Sequence, residues 1–310
     1  MRTVFLGSGA MGCLYGGLLA EAGFDVTLVD VWKEHMEAIN DRGLSVEASG
    51  EERIIKNIRG TTDPAEAGKA DLIVVFVKST VTSEAMKGAL SLIGPDTTVL
   101  TLQNGLGNVD KLSAVAGKER IIAGITGHGS TLLAPGKIRH AGQGDTIMGE
   151  PDGTISERLQ KIGAMFEKAE IPVKLSKNVI GLIWGKLLVN VGINALTAVT
   201  GLRNGRMTEV PEAEELLVAA VREGMEVAEA AGIQLETDDP VEYTKTVARM
   251  TGPNRSSMLQ DVMNGRQTEI DVINGAIVDE GKRLGIGTPI NLALTNLVRI
   301  RQKSYEEFLA

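Results

Sequence analysis

A lysine and two asparagines recur at every fourth position of one otherwise apolar segment. Lys186, Asn190 and Asn194 interrupt the run WGKLLVNVGINALTAVTG, which spans residues 184–201. On a helix, residues four apart share a face, so these side chains form one stripe. The run predicts a buried helix whose stripe faces a polar cavity, where a desolvated lysine has a lowered pKa and can donate a proton. The alternative is a lysine that extends to solvent and two amides that are satisfied in the core.

A second chemical pattern opens the chain. Gly7-Ser-Gly-Ala-Met-Gly12 follows the apolar run 3–6 and precedes helically spaced leucines. This order of strand, G-x-G-x-x-G and helix is typical of a dinucleotide-binding turn, in which the pyrophosphate lies at the helix N-terminus. A plain glycine-rich turn is the alternative. The candidate cofactor-binding residues are Gly7, Ser8, Gly9, Ala10, Met11 and Gly12.

Asp30 ends the second predicted strand, 26–29, about 20 residues beyond the glycine pattern. An acid at this place usually binds the ribose 2′-OH and repels a 2′-phosphate, which favours NAD. Lys33 could offset a phosphate, and Asp30 could also be an ordinary solvated loop carboxylate. Asp30 therefore favours NADH without deciding the choice of cofactor.

Polar residues also end two later predicted strands. Lys78 follows the run 72–77 and Asn104 follows 98–102, and a further strand is predicted at 120–124. Ligands of open α/β sheets bind beyond the carboxyl ends of the strands, so both residues are candidates for the cofactor or substrate side. Lys78 could instead be a surface lysine, and Asn104 could belong to a simple Asn-Gly turn.

The pattern changes after residues 171–175, where strand signals end and helical periodicity begins. We therefore predict a doubly wound α/β domain of Rossmann type over residues 1–176, closed by short hairpin strands within 130–149. An all-α domain is predicted over residues 177–310. Its predicted helices cover residues 178–200, 207–231, 239–250, 256–264, 267–285 and 289–308.

A second polar patch lies in the helical half, at residues 254–269. Ser256 and Ser257 either cap a helix that starts at Met258 or help to hold a carboxylate at its N-terminus. Glu269 either takes part in the chemistry or compensates a helix dipole.

Composition and charge exclude some classes of function. The net charge of −8 and an aromatic content of 3% argue against a nucleic-acid partner. The single cysteine, Cys13, excludes an intrachain disulfide and fits a reducing cytoplasm. The strand-like run 72–77 is too short to span a membrane, and no metal site is expected because His128 and His140 lack partners at ligand spacing. The helical half could carry a dimer interface, but nothing in the sequence requires one.

Four segments resemble the ketopantoate reductase family (2-dehydropantoate 2-reductases): GSGAMG, QNGLGN, WGKLLVNVGINALTAVTGLRNG and NRSSMLQDVMNGRQTEIDVINGAIV. The resemblance covers the whole chain. It implies NADPH-dependent reduction of a small 2-oxo acid, 2-dehydropantoate, to (R)-pantoate in pantothenate biosynthesis. It also implies a cleft between a Rossmann domain and a helical domain of the 6-phosphogluconate dehydrogenase C-terminal type.

The resemblance also implies roles for individual residues. Lys186 and Glu269 are the expected catalytic residues, and Glu269 lies beside the nicotinamide ribose as well. On the cofactor side the resemblance implies Lys78, Asn104 and Ser130. On the substrate side it implies Asn104, Lys186, Asn190, Asn194, Asn204, Asn254 and Ser257.

Asp30 departs from the family pattern, because many members carry a basic residue there and prefer NADPH. NADH is therefore the plausible or preferred cofactor of this chain, against the NADPH that the resemblance implies. Two other functions stay open: a related dehydrogenase for another 2-oxo or 3-hydroxy acid, and a non-catalytic dinucleotide-binding sensor.

Overall fold

A computed structural model of the 310-residue chain describes residues 1–308. The chain divides into two compact units. Unit 1 comprises Met1–Gln103 and Asn108–Val179, and unit 2 comprises Asn104–Gly107 and the chain from Ile180 onward. The two units are described separately below.

The main sheet of unit 1 contains eight strands, in the order β5-β2-β1-β6-β7-β8-β11-β12. The first six are parallel and follow the 3-2-1-4-5-6 order of dinucleotide-binding folds. β11 runs antiparallel to β8 and parallel to β12. The bounds are β1 Arg2–Leu6, β2 Asp25–Val29, β5 Arg59–Thr61, β6 Ala70–Val75, β7 Ile93–Thr101, β8 Ile121–Thr126, β11 Thr146–Gly149 and β12 Val173–Leu175.

A second sheet in unit 1 has the strand order β4-β3-β10-β9. Its strands are β3 Leu44–Ala48, β4 Glu51–Ile55, β9 Gly129–Ala134 and β10 Lys137–Gly142. β3 and β4 form one antiparallel pair, β9 and β10 form another, and β10 joins the two pairs in parallel with β3. Strands were predicted within 130–149 but not over residues 44–61.

The helices of unit 1 cover the main sheet, as burial of both faces of a parallel sheet requires. Residues 72–75 of β6 have no exposed surface. The α-helices are α1 Ala10–Glu21, α2 Lys33–Arg42, α3 Thr82–Gly88, α4 Asn108–Ala116 and α5 Glu157–Lys168. Short 3-10 helices occur at Pro64–Ala67, Leu90–Leu92 and Lys118–Arg120.

All the regular elements that the structure describes from Ile180 onward are helices, joined by turns and irregular loops, so the predicted fold class is confirmed. Its α-helices are α6 Val179–Thr200, α7 Pro211–Ala230, α8 Pro240–Met250, α9 Ser257–Met263, α10 Asn274–Leu284, α11 Pro289–Lys303 and α12 Tyr305–Phe308. Two 3-10 helices lie at Asn204–Thr208 and Ile270–Val272.

Three predicted helices were wrong in extent. The helix predicted at 207–231 begins only at Pro211, a first-turn position where a missing N–H costs little. The helix predicted at 267–285 is divided at Ile273, whose backbone angles are not helical. The helix predicted at 289–308 is divided at Ser304, whose hydroxyl bonds the carbonyl of Ile300.

By length and composition alone, α6 is apolar enough to qualify as a membrane span, a possibility that the prediction made for the run 72–77 did not cover. Within the described residues it is the one helix that passes this test, and 67% of its most apolar window is buried. Its side chains pack with those of α7, α9 and α10 in one core cluster. α6 is therefore the central core helix of unit 2.

Candidate active site

The glycine-rich turn between β1 and α1 has no room for side chains at its first and last glycines. Gly7 has a φ of +94°, and a Cβ there would lie 2.4 Å from the backbone nitrogen of Val77. A Cβ on Gly12 would lie 2.0 Å from the carbonyl oxygen of Gly7. α1 begins after Gly9 without a side-chain cap. A tight turn and an uncapped helix N-terminus are the features that a pyrophosphate group requires.

Asp30 is fixed at the carboxyl end of β2 by two backbone N–H groups. Ser8 donates to one carboxylate oxygen at 2.7 Å, and Trp32 donates to the other at 3.1 Å. Each oxygen retains a second lone pair, which a ribose hydroxyl can use. Lys33, which could have offset a phosphate, forms an exposed ion pair with Glu37 on α2 at 3.6 Å.

The loop after β6 carries Lys78 and lies beside the glycine-rich turn. Gln103 donates through its side-chain amide to the carbonyl of Val77 at 2.7 Å and to the hydroxyl of Thr82 at 2.8 Å. These bonds fix the loop, while the Lys78 side chain lies on the exposed surface. The positioning role of Gln103 was not predicted from the sequence, although its place just beyond the carboxyl end of β7 was a signal.

Asn104 belongs to a segment that packs within unit 2. Gly105 has a φ of +81°, and a Cβ there would lie 2.5 Å from the carbonyl oxygen of Val272. Leu106 donates its N–H to that same oxygen at 3.0 Å. The segment Asn104–Gly107 is therefore held against the chain that follows Glu269. The structure brings Asn104 to the same unit as Lys186.

Lys186 and Glu269 lie within electrostatic reach of each other in unit 2. Burial lowers the pKa of Lys186 to about 8, and the negative charge of Glu269 acts in the opposite direction. Along the same face of α6, Asn190 is half-buried and Asn194 is buried. This face therefore presents a lysine that is able to lose its proton near neutral pH, followed by two amides.

Asn204 and Asn254 lie on adjoining loops of unit 2. The N–H of Asn204 donates to the carbonyl of Asn254 at 3.0 Å, and its side-chain amide donates to the hydroxyl of Thr251 at 2.9 Å. The Asn204 side-chain oxygen is buried and has no hydrogen-bond partner among the described residues. The Asn254 side chain is exposed. A buried acceptor without a partner is unfavourable unless a ligand supplies a donor.

The two serines before α9 have different environments. The hydroxyl of Ser256 accepts from the N–H of Leu259 at 3.0 Å and lies 2.7 Å from the hydroxyl of Thr197 on α6. Ser256 is therefore the N-cap and connects α9 to α6. Ser257 is the first helical residue, and its side chain is exposed.

Ser130 lies on β9 in the second sheet, where its hydroxyl donates to the carbonyl of Arg139 at 3.3 Å. His128 and His140 contact each other at 3.2 Å between ring nitrogens. No group of three or more metal-ligating side chains occurs among the residues that the structure describes.

The family models for ketopantoate reductase match both halves of the chain. The model described as "Ketopantoate reductase PanE/ApbA" matches residues 3–153, and its C-terminal counterpart matches residues 178–302. The 2-dehydropantoate 2-reductase of Halobacterium salinarum is 38% identical over 304 residues, which are 98% of this chain and 99% of that one. The enzyme of the same name from Pyrococcus horikoshii is 37% identical over 302 residues, covering 97% and 98% of the two chains.

Solved structures with the same fold include enzymes named for two different substrates. The PanE/ApbA family ketopantoate reductase from Ralstonia eutropha JMP134 is 33% identical, with a TM-score of 0.91 and coverage of 99% of this chain and 100% of that one. A D-mandelate dehydrogenase with NADH and anilino(oxo)acetate is 29% identical, with a TM-score of 0.93 and coverage of 99% of both chains.

Proposed function

The chain belongs to the ketopantoate reductase family, and from this membership we propose that it reduces 2-dehydropantoate to (R)-pantoate with a reduced nicotinamide cofactor. The observation that carries the proposal is the position of Lys186 on α6 within electrostatic reach of Glu269, where burial lowers the pKa of the lysine to about 8. A lysine with this pKa is matched to proton donation near neutral pH. A non-catalytic sensor would not need such a group.

The reaction joins a hydride to the carbonyl carbon and a proton to the carbonyl oxygen of the 2-oxo acid. A bound nicotinamide supplies the hydride. The Lys186 ammonium stabilises the charge that develops on the oxygen and donates the proton. Glu269 either orients Lys186 or accepts a hydrogen bond from the new hydroxyl.

Other side chains of unit 2 hold the substrate in this proposal. Asn190 and Asn194 fix it along α6, while Asn254 and Ser257 bind its carboxylate. The buried oxygen of Asn204, which lacks a protein donor, is suited to accept from the hydroxyl group of the substrate. Asn104, which packs within the same unit, lies at the substrate and cofactor side.

The residues of unit 1 fit a dinucleotide. The turn from Gly7 to Gly12 and the start of α1 bind the pyrophosphate, with Lys78 and Ser130 as further cofactor residues. Asp30 binds the ribose hydroxyls and disfavours a 2′-phosphate, so we propose NADH as the preferred cofactor. The buried thiol of Cys13 is compatible with a cytoplasmic location.

A second candidate function is the reduction of a different 2-oxo acid with NADH. The likeness to a D-mandelate dehydrogenase solved with NADH favours it, together with Asp30. The motifs that predict reduction of the carbonyl group fit both candidate functions equally. The two functions differ in the pocket that would bind the rest of the substrate.

The experiment that tests the proposal follows the oxidation of NADH and NADPH, separately, with 2-dehydropantoate and with a panel of other 2-oxo acids that includes the oxo acid of mandelate. The proposal predicts the highest kcat/KM with 2-dehydropantoate. A higher value with the oxo acid of mandelate would support the second candidate. Cofactor binding without turnover of any 2-oxo acid would support the sensor.

A further inference from the structure

His35 is a fully buried histidine on α2 that contacts the glycine-rich turn. One of its ring nitrogens, Nε2, lies 2.9 Å from the carbonyl oxygen of Ser8. The indole of Trp32 stacks on the imidazole at 5.1 Å between ring centroids. No role was predicted for this histidine from the sequence.

The hydrogen bonds of His35 fix its tautomer. The backbone N–H of Gly136, at the turn between β9 and β10, donates to Nδ1 at 2.9 Å. Nδ1 is therefore the acceptor, and the ring proton is on Nε2, where it can be donated to Ser8. Burial lowers the pKa of His35, which favours this neutral form.

A second donor reaches the same carbonyl. The thiol of Cys13 on α1 donates to the Ser8 oxygen at 3.0 Å and lies 3.2 Å from Nε2 of His35. The carbonyl of Ser8 thus accepts from α2 and from α1, which restrains the plane of the Ser8–Gly9 peptide.

The orientation of this peptide determines the direction of the Gly9 N–H. In a planar trans peptide the C=O and N–H bonds point in opposite directions. When the Ser8 carbonyl faces His35 and Cys13, the Gly9 N–H therefore faces away from them. Gly9 borders open space, because a Cβ on it would meet no atom of the described residues within 4 Å apart from its chain neighbours. This open side is where a phosphate can approach the start of α1.

We propose that His35 is a positioning residue for cofactor binding, which holds the Ser8–Gly9 peptide so that the Gly9 N–H is directed at the pyrophosphate of the dinucleotide. The inference rests on the proposed function to the extent that the ligand is a nicotinamide dinucleotide. In this proposal the essential contact is the hydrogen bond from Nε2 of His35 to the carbonyl of Ser8. The hydrogen bond that Nδ1 accepts from Gly136 has a supporting role.

Two variants separate these contacts. In His35→Gln the side-chain amide nitrogen reaches the position of Nε2 and can still donate to Ser8. In His35→Asn the side-chain oxygen replaces Nδ1, but no donor reaches Ser8. The measurement is the Kd of NADH for the full chain by calorimetry, together with kcat at saturating NADH and the thermal midpoint.

We expect His35→Asn to raise the Kd about 10-fold, the effect of one lost hydrogen bond, and His35→Gln to stay within about threefold of wild type. The kcat at saturating NADH stays unchanged in both. Equal Kd values for wild type and a folded His35→Asn, or equal losses of NADH affinity in both variants, would overturn the inference.

If His35→Asn does not fold, Cys13→Ala tests the same peptide. A rise in the Kd of NADH of about threefold is expected, and an unchanged Kd would contradict the inference. Failure of the wild type to bind either NADH or NADPH would instead overturn the proposed function.

Discussion

The carboxylate of Asp30 accepts the backbone N–H of Ser8 at 2.7 Å. The acidic residue that follows β2 is thereby attached to the glycine-rich turn, and its negative charge is fixed beside the predicted site of the cofactor phosphates. We therefore expect the charge at position 30 to influence the choice between NADH and NADPH.

Asp30→Asn removes this charge while its side-chain oxygen can still accept from Ser8. We expect the ratio of kcat/KM for NADH to that for NADPH to fall about 10-fold, because repulsion of a 2′-phosphate disappears. Asp25→Asn is the control, since Asp25 begins β2 and pairs with exposed Arg2 at 3.2 Å. A ratio that is the same in wild type and Asp30→Asn would refute the role of the charge.

The proposed role of Lys186 as the proton donor predicts that kcat/KM depends on pH. Lys186 must be charged to donate a proton, so kcat/KM falls as the pH rises through about 8. The charge of Glu269 raises the pKa of Lys186, so Glu269→Gln moves this descending limb to lower pH. The measurement is kcat/KM from pH 6 to 10 for both proteins. If the descending limb of kcat/KM lies at the same pH in Glu269→Gln as in the wild type, Glu269 does not act on the group whose titration lowers the activity.

Two glycines of the segment Asn104–Gly107 form a matched pair. Both have positive φ, but a Cβ on Gly105 collides with the carbonyl of Val272. A Cβ on Gly107 meets no atom within 4 Å in the part of the chain that the structure describes, apart from its chain neighbours. Gly107→Ala should therefore lower the free energy of unfolding by about 1 kcal/mol, from backbone strain alone.

Gly105→Ala should cost about 1–3 kcal/mol more than Gly107→Ala, because the segment must move away from Val272. Chemical denaturation of the two variants measures the difference. Equal losses would mean that the segment does not pack on Val272 as the structure describes.

The two neighbouring serines at the start of α9 are expected to have different roles, which single substitutions can distinguish. Ser256→Ala removes the N-cap and should lower the free energy of unfolding by about 1 kcal/mol. Ser257→Ala should leave stability unchanged and raise the KM for the 2-oxo acid. Thermal unfolding and steady-state kinetics on both variants test these two roles. A loss of stability in Ser257→Ala with a normal KM would contradict the substrate-binding role of Ser257.

Most of the main sheet of unit 1 was predictable because its signals are local. The order of strand, glycine turn, helix and strand is contained in residues 1–30, and β6, β7 and β8 each contain a short apolar run. The edge strand β5, whose sequence is RGT, has no such run and was not predicted. The hairpin of β3 and β4 was missed because each strand covers only five residues and four of the five residues of β4 are exposed, which leaves a weak apolar pattern. β3 also pairs in parallel with β10, which lies far along the chain, with Ser45 opposite Lys137. Such pairing is not encoded in a local pattern.

The break before α10 was not predictable from periodicity. Residues 267–285 have the apolar spacing of one helix, but the carbonyl of Val272 accepts from Leu106, a residue of a distant segment. Tertiary contacts of this kind override a helical pattern.

The polar stripe of α6 was visible in the sequence because Lys186, Asn190 and Asn194 obey helical spacing. The contact between His35 and Ser8 was not, since the two residues lie on different elements and nothing in their spacing connects them. The same holds for the bond between Ser256 and Thr197, which joins α9 to α6.

The most direct test of the proposed chemistry is the kcat of Lys186→Ala with 2-dehydropantoate at saturating cofactor. Lys282→Ala, which changes an exposed lysine of α10, is the control for loss of a positive charge. We predict that Lys186→Ala lowers kcat by ~100-fold or more with an unchanged NADH Kd, while Lys282→Ala keeps the wild-type rate. Near wild-type turnover by a folded Lys186→Ala protein would contradict the assignment of Lys186 as the proton donor.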